Sequence, residues 1–181
     1  MRIKQDDAIA VIIDIQEKLF PHIYENEILS ANCVRLLSGL QVLEIPLLIT
    51  EQYTSGLGYT IKPIKETIEK NYYPIEKIDF SCCGSVDFLG KLQSFGKKHV
   101  ILLGIETHVC VLQTALDLIE NRFIPVVIAD CVSSRKLNDK NIAIQRMKTE
   151  GAIISTYESI LLELCRVAGN DNFKAISKII K

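Results

Sequence analysis

Cys110 lies in the segment Gly104-Ile105-Glu106-Thr107-His108-Val109-Cys110-Val111, just past a short apolar run. A thiol at the start of a helix meets free backbone N–H groups and the positive end of the helix dipole, and both favour thiolate. The same N–H groups can receive an oxyanion that develops on an attacked carbonyl. Helical spacing predicts Val109, Leu112, Leu116 and Ile119 on an apolar stripe. Cys110, Gln113, Thr114 and Asp117 then fall on a polar stripe, where a merely structural cysteine is not expected. On spacing alone, nucleophile and core thiol both stay open.

Asp14 ends the run Ala8-Ile9-Ala10-Val11-Ile12-Ile13. At the mouth of a strand a carboxylate can take a proton from a nucleophile, although strand-end aspartates also serve as caps and turn formers. Lys77, in Tyr73-Pro74-Ile75-Glu76-Lys77, reads on its own as a solvated lysine. His108 is two positions from Cys110. Such positions do not face each other on a helix, so His108 reads as a packing or partner-facing residue rather than the base.

These residues need elements to hold them. The run Ala8 to Ile13 reads as a central strand, Leu29 to Leu43 as an amphipathic helix, and Pro46 to Thr50 as a second strand. A glycine-bearing loop follows, then an extended segment from Ile75 to Phe80. Ser85 caps a helix to about Phe95, closed by Gly96. Strand Val100 to Leu103 precedes a helix from Thr107 to Asn121. Strand Pro125 to Ala129 precedes a helix from Asn138 to Thr149, which stops at Gly151. Strand Ala152 to Ser155 runs into the capping-box pattern Ser155-Thr156-Tyr157-Glu158 before Ile160 to Cys165, and a last helix spans Asn172 to Ile180. Such alternation specifies an α/β fold: a doubly wound, Rossmann-like parallel sheet with helices on both faces, in one domain over residues 1–181. Its site should lie beyond the carboxyl ends of the strands, near Asp14, Glu51, Gly104 onward and Asp130.

Composition narrows the function classes. Hydrophobic residues make up 48% and charged residues 24% of 181, with a formal net charge of −1. No basic stripe interleaved with aromatics is present, so nucleic acid is not an expected partner. No apolar run is long enough to suggest a membrane span. The N-terminal segment has no apolar signal region, and Asp6 and Asp7 do not suit a transit peptide, so a cytoplasmic protein is expected. Six cysteines (Cys33, Cys82, Cys83, Cys110, Cys131, Cys165) form no C-x-x-C pair, and His22, His99 and His108 are scattered. Neither a disulfide framework nor a zinc site is expected, and no cofactor is implied.

The ordered set Asp14-x-Gln16, Lys77 before Phe80-Ser81, and Gly104 to Val111 resembles the isochorismatase-like cysteine hydrolases, over most of the chain. The segments from Glu51 to Gly58, Gly104 to Leu118 and Ala129 to Arg135 are most similar to the isochorismatase domain-containing protein 2 subgroup. The resemblance implies a triad of Cys110 as nucleophile, Asp14 as base and Lys77 as electrostatic partner. It also implies a cis peptide at Ile105–Glu106, with the amides of Glu106 and Cys110 serving an oxyanion, and a homo-oligomer, dimer or tetramer. The expected activity is metal-independent hydrolysis of a small amide, ureido or related acyl substrate through a thioester. The alternatives are a weakly catalytic or non-catalytic interaction protein keeping the same fold, and a redox role for the thiol. Two departures matter. Nicotinamidases of this group carry an Asp-x-His metal motif where this chain has Glu51-Gln52-Tyr53, and isochorismatases proper lack the cysteine. Cys82 and Cys83 fall among expected pocket-lining positions, and nothing in the sequence explains why both are cysteine.

Overall fold

Every residue of the run Ala8–Ile13 is buried, as a strand covered on both faces requires. This is β1 of a computed structural model that describes residues 2–181. After it come α1 (Asn26–Val42), β2 (Leu47–Gln52), the single turn α2 (Thr54–Leu57), α3 (Lys62–Ile68) and β3 (Ile75–Lys77). Then follow α4 (Val86–Ser94), β4 (His99–Ile105), a π-helical turn (Thr107–Val111), α5 (Leu112–Glu120) and β5 (Ile124–Ser133). The chain closes with α6 (Leu137–Thr149), β6 (Ile153–Ser155), α7 (Tyr157–Cys165) and α8 (Asp171–Ile179).

All six strands are parallel, in the order β3-β2-β1-β4-β5-β6. The doubly wound sheet read from the sequence is the observed one. Alternation along β1 divides the core: Ala8, Ala10 and Ile12 pack with α1, α7 and α8, and Ile9, Val11 and Ile13 pack with α4, α5 and α6. Each fully buried leucine, isoleucine or phenylalanine contributes roughly 1.5–3 kcal/mol of transfer free energy, so this two-sided burial holds the sheet. Among the described residues no helix is long and apolar enough to cross a membrane.

The strand order reverses between β1 and β4, which opens a crevice at their carboxyl ends. Gly104 sets the spacing there. It has φ of +134°, and a Cβ at this position would run into the Ile13 carbonyl oxygen of β1. Only glycine lets the two strands approach so closely.

Several boundaries differ from the pattern reading. β2 continues to Gln52 and β4 to Ile105, so residues expected in loops lie in strands that present their ends to the crevice. β3 stops at Lys77 instead of reaching Phe80. β5 runs to Ser133 because its register against β4 shifts: Val127 pairs with Leu102, but Gly104 pairs with Val132. Ser85 caps α4 as expected, accepting from the Phe88 amide. α7 is capped by Thr156, which accepts from the Ser159 amide, in place of the capping box expected from Ser155 to Glu158.

Candidate active site

Four strand ends lie side by side at the crevice. Lys77 pairs in register with Gln52, and Ile13, just before Asp14, pairs with Thr50 and Gly104. Asp14 takes a left-handed conformation, φ 50°, and is 1% exposed. Lys77 Nζ donates to Asp14 Oδ2 at 2.6 Å, with both side chains out of solvent. It also donates to the carbonyls of Asp79 and Phe80, each at 3.1 Å. The three shortest of its contacts can take the three protons of an ammonium, which offsets the desolvation such a pair otherwise suffers.

Cys110 lies across the crevice, 5% exposed, with Sγ donating to Gln52 Oε1 at 3.2 Å. The same oxygen is 3.4 Å from Lys77 Nζ. Asp14, Lys77 and Cys110, which are 14, 77 and 110 in the chain, therefore meet at one buried point. The expectation of a thiol on a polar stripe is corrected. The first turn of that segment is π-helical, and its wider spacing changes the phase, so Cys110 joins Val111, Leu112, Ala115 and Leu118 in the core. Val109, Leu116 and Ile119 are only half-buried.

The pull toward thiolate expected from the helix start is opposed here. Burial pushes the Cys110 thiol up, the Asp14 charge pushes it further, and Lys77 only partly opposes them. Burial also raises Asp14 above its ordinary value, against the pull of Lys77, Thr50 and Cys110. For Lys77 burial acts against the charge, but the negative charge and hydrogen bond of Asp14 oppose it, and the ammonium is held. A thiol that favours its neutral form thus lies beside a carboxyl made more basic than usual and bonded to the Lys77 ammonium. Such a carboxylate is primed to receive a proton.

The peptide Ile105–Glu106 is cis, as expected. Glu106 Oε2 accepts from the Arg135 amide and from Arg135 Nε, at 3.0 and 3.1 Å, which ties the turn before Cys110 to the segment after β5. His108 Nδ1 lies 3.0 Å from Ser134 Oγ on that same segment, in keeping with a packing role. Asp130 does not join the site; its carboxylate accepts from the Tyr157 amide at the start of α7.

Glu51 is buried and is engaged elsewhere through one carboxylate oxygen. Its Oε1 accepts from the Thr60 amide and hydroxyl, both at 2.7 Å, and from the Tyr72 hydroxyl at 2.5 Å. Among the described residues no group of three or more His, Cys, Asp or Glu side chains is arranged to hold a metal ion. The donors around Glu51 are those of a structural anchor for the loop after β2.

Gln52 and Thr50 escaped the sequence reading. Gln16, fully buried, donates to the carbonyls of Gln52 and Gly58 and accepts from the Gln52 amide, so the backbone carrying Gln52 is clamped. Thr50 Oγ1 donates to Asp14 Oδ1 at 2.8 Å. A polar residue at a strand end directly opposite Lys77 was the available signal, and it required knowing that β2 extends that far.

The Isochorismatase domain family pattern matches residues 8–159. Isochorismatase family protein 1B of Dictyostelium discoideum is 38% identical over 184 residues, covering 99% of this chain and 89% of its own. Isochorismatase domain-containing protein 2A of Mus musculus is 39% identical over 185 residues, covering 99% of this chain and 85% of its own. Among solved structures, one described as the MAR1 ribonuclease of Caenorhabditis elegans superposes with a TM-score of 0.93 at 36% identity, over 99% of this chain and 92% of that one.

Proposed function

Since the chain belongs to the isochorismatase family and carries its hydrolase fold, we propose that it is a metal-independent thiol hydrolase of small amide, ureido or related acyl compounds. The observation that carries this reading is the convergence of a buried carboxylate, its ammonium partner and a thiol around one crevice. In the proposed reaction Asp14 takes the proton of Cys110, and the thiolate attacks the carbonyl carbon while Lys77 stabilises the charge that remains. The amides of Glu106 and Cys110 receive the oxyanion. Collapse breaks the C–N bond, Asp14 passes the proton to the departing nitrogen, and a thioester remains. Water, deprotonated by Asp14, then attacks the thioester, releasing the acid and restoring the Cys110 thiol.

The ribonuclease description belongs to the worm protein. Here the buried nucleophile and the net charge of −1 favour a small neutral or weakly charged substrate over a polyanion. A panel of small amides, carbamoyl compounds and esters, with an RNA oligonucleotide as counter-substrate, tests the reading. Turnover of a small acyl compound is expected, persisting in EDTA and absent in Cys110→Ala. RNA cleavage that survives Cys110→Ala, or activity lost to EDTA and restored by zinc, would overturn it.

Self-association belongs to the same reading. Ile78, Phe80 and Val86, large apolar side chains between the end of β3 and the start of α4, are exposed in the single chain. Sedimentation equilibrium is expected to give a mass that is a multiple of 20.4 kDa, and a monomer at micromolar concentration would refute this part.

A further inference from the structure

We propose, resting on the thiol-hydrolase reading, that Thr50 and Cys82 are positioning residues. In this proposal they form a hydroxyl–thiol chain behind Asp14 that reverses its hydrogen bonds when Asp14 takes the proton of Cys110. Thr50 and Cys82 are both fully buried. Thr50 Oγ1 donates to Asp14 Oδ1 at 2.8 Å and lies 3.6 Å from Cys82 Sγ. A hydroxyl has one proton to give. While Asp14 is ionised that proton points at Oδ1, so the sulfur contact runs the other way, with Cys82 S–H donating to Thr50 Oγ1. Cys82 can serve as that donor through the neutral range, because burial and the charge of Asp14 push its thiol up to about 11. Its position is fixed from the Cys110 segment itself: the Cys82 amide donates to Thr114 Oγ1 at 2.9 Å, and Thr114 is buried on α5 one turn beyond Cys110.

The second state of the chain follows from the first. When the S–H bond of Cys110 breaks and an O–H bond forms at Asp14, that O–H turns from the Cys110 sulfur toward Thr50, so that the carboxyl is the donor and Thr50 accepts. The Thr50 proton then turns to Cys82 Sγ, a weak acceptor. Oδ2 stays with Lys77 throughout. No bond in the chain changes and no charge moves along it, yet both protonation states of Asp14 keep their hydrogen bonds. The ionised state gains more, since a hydrogen bond to a carboxylate is the stronger kind. The titratable groups facing Asp14 are Lys77 from β3, Cys82 from the segment after β3, and Cys110 from the π turn; Thr50 from β2 is the neutral link.

The test reads the rate of Cys110 alkylation by iodoacetamide against pH, by peptide mapping, and needs no substrate. In the wild type Cys110 should label through proton transfer to Asp14, faster than in Asp14→Asn, with an acid limb that belongs to the coupled Asp14–Cys110 pair. Thr50→Val removes the donor to Oδ1, leaves ionised Asp14 less stabilised, and should move that limb up by about one pH unit. Cys82→Val, which keeps apolar bulk, should move it the same way by less, and Thr50→Ser should restore it. If Cys110 labels no faster than it does in Asp14→Asn, the hydrolase reading itself fails. If Cys110 labels fast but the limb stays put in both variants, the positioning proposal alone is overturned. Should Thr50→Val not fold, an unmoved limb in Cys82→Val overturns it equally.

Discussion

Cys110→Ala and Asp14→Asn should each lower turnover of an accepted substrate by on the order of 10⁴-fold, and the double variant should fall little further, because members of a triad act as a unit. Cys110→Ala removes one sulfur and should cost about 1 kcal/mol of stability, so its loss of activity is readable without correction for folding. Asp14→Asn keeps the shape but cannot accept the thiol proton. It also leaves the Lys77 ammonium, wholly out of solvent, without its counter-charge, and circular dichroism must accompany the rate. Steady-state kcat/KM of the three variants gives the answer. Additive losses would mean that Asp14 and Cys110 act separately. Complementation of a deletion strain separates an enzyme from a scaffold: full rescue by Cys110→Ala would sink the catalytic reading.

Lys77→Met should destabilise the fold by about 3–5 kcal/mol near neutral pH, since it strands a carboxylate that is 1% exposed. Against a typical total of about 5–15 kcal/mol this is a large loss. Its pH dependence has a definite sign. Asp14 is already raised by burial, and without Lys77 it rises further. A carboxyl whose folded pKa exceeds its unfolded value contributes stability that is fully present below the unfolded pKa and lost as pH rises through the folded one. The penalty of Lys77→Met should therefore be smallest near about pH 4 and grow toward neutrality. Urea unfolding of both proteins at acid and neutral pH measures it. A penalty that does not vary with pH would show that Lys77 contributes by packing rather than by charge.

Much of the fold was legible because a buried parallel strand leaves a short apolar run, and such runs alternate with helical spacing; the short β3, Ile-Glu-Lys, leaves none. Asp14 could be read as a candidate from its place at a strand end. The placement of Cys110 was only partly legible: regular helical spacing puts it on a polar stripe, but the π turn carries it into the core. Lys77 could not be separated from a surface lysine by composition or spacing. Its burial depends on Asp14, 63 residues earlier, and only the family resemblance singled it out. Thr50 and Cys82 were invisible as partners for the same reason. Their contact spans 32 residues, and an apolar strand and a loop cysteine each have an ordinary explanation when read alone.

The close approach of β1 and β4 at Gly104 has a consequence for how such a scaffold diversifies. The backbone of β4 lies against the backbone of β1 with no room for even a methyl group between them. The distance between the ends of these strands, and so the placement of Asp14 relative to the turn that bears Cys110, is set by main chain on main chain. Side chains elsewhere in the crevice, such as those following β2 and β3, do not take part in that contact. Recognition can then be rewritten in the loops, by natural drift or by an engineer exchanging whole segments, while the reacting groups keep their mutual spacing. A library that randomises the loops and spares Gly104 should retain acyl-transfer competence across many altered specificities, whereas one that admits alanine there should yield mostly inert protein.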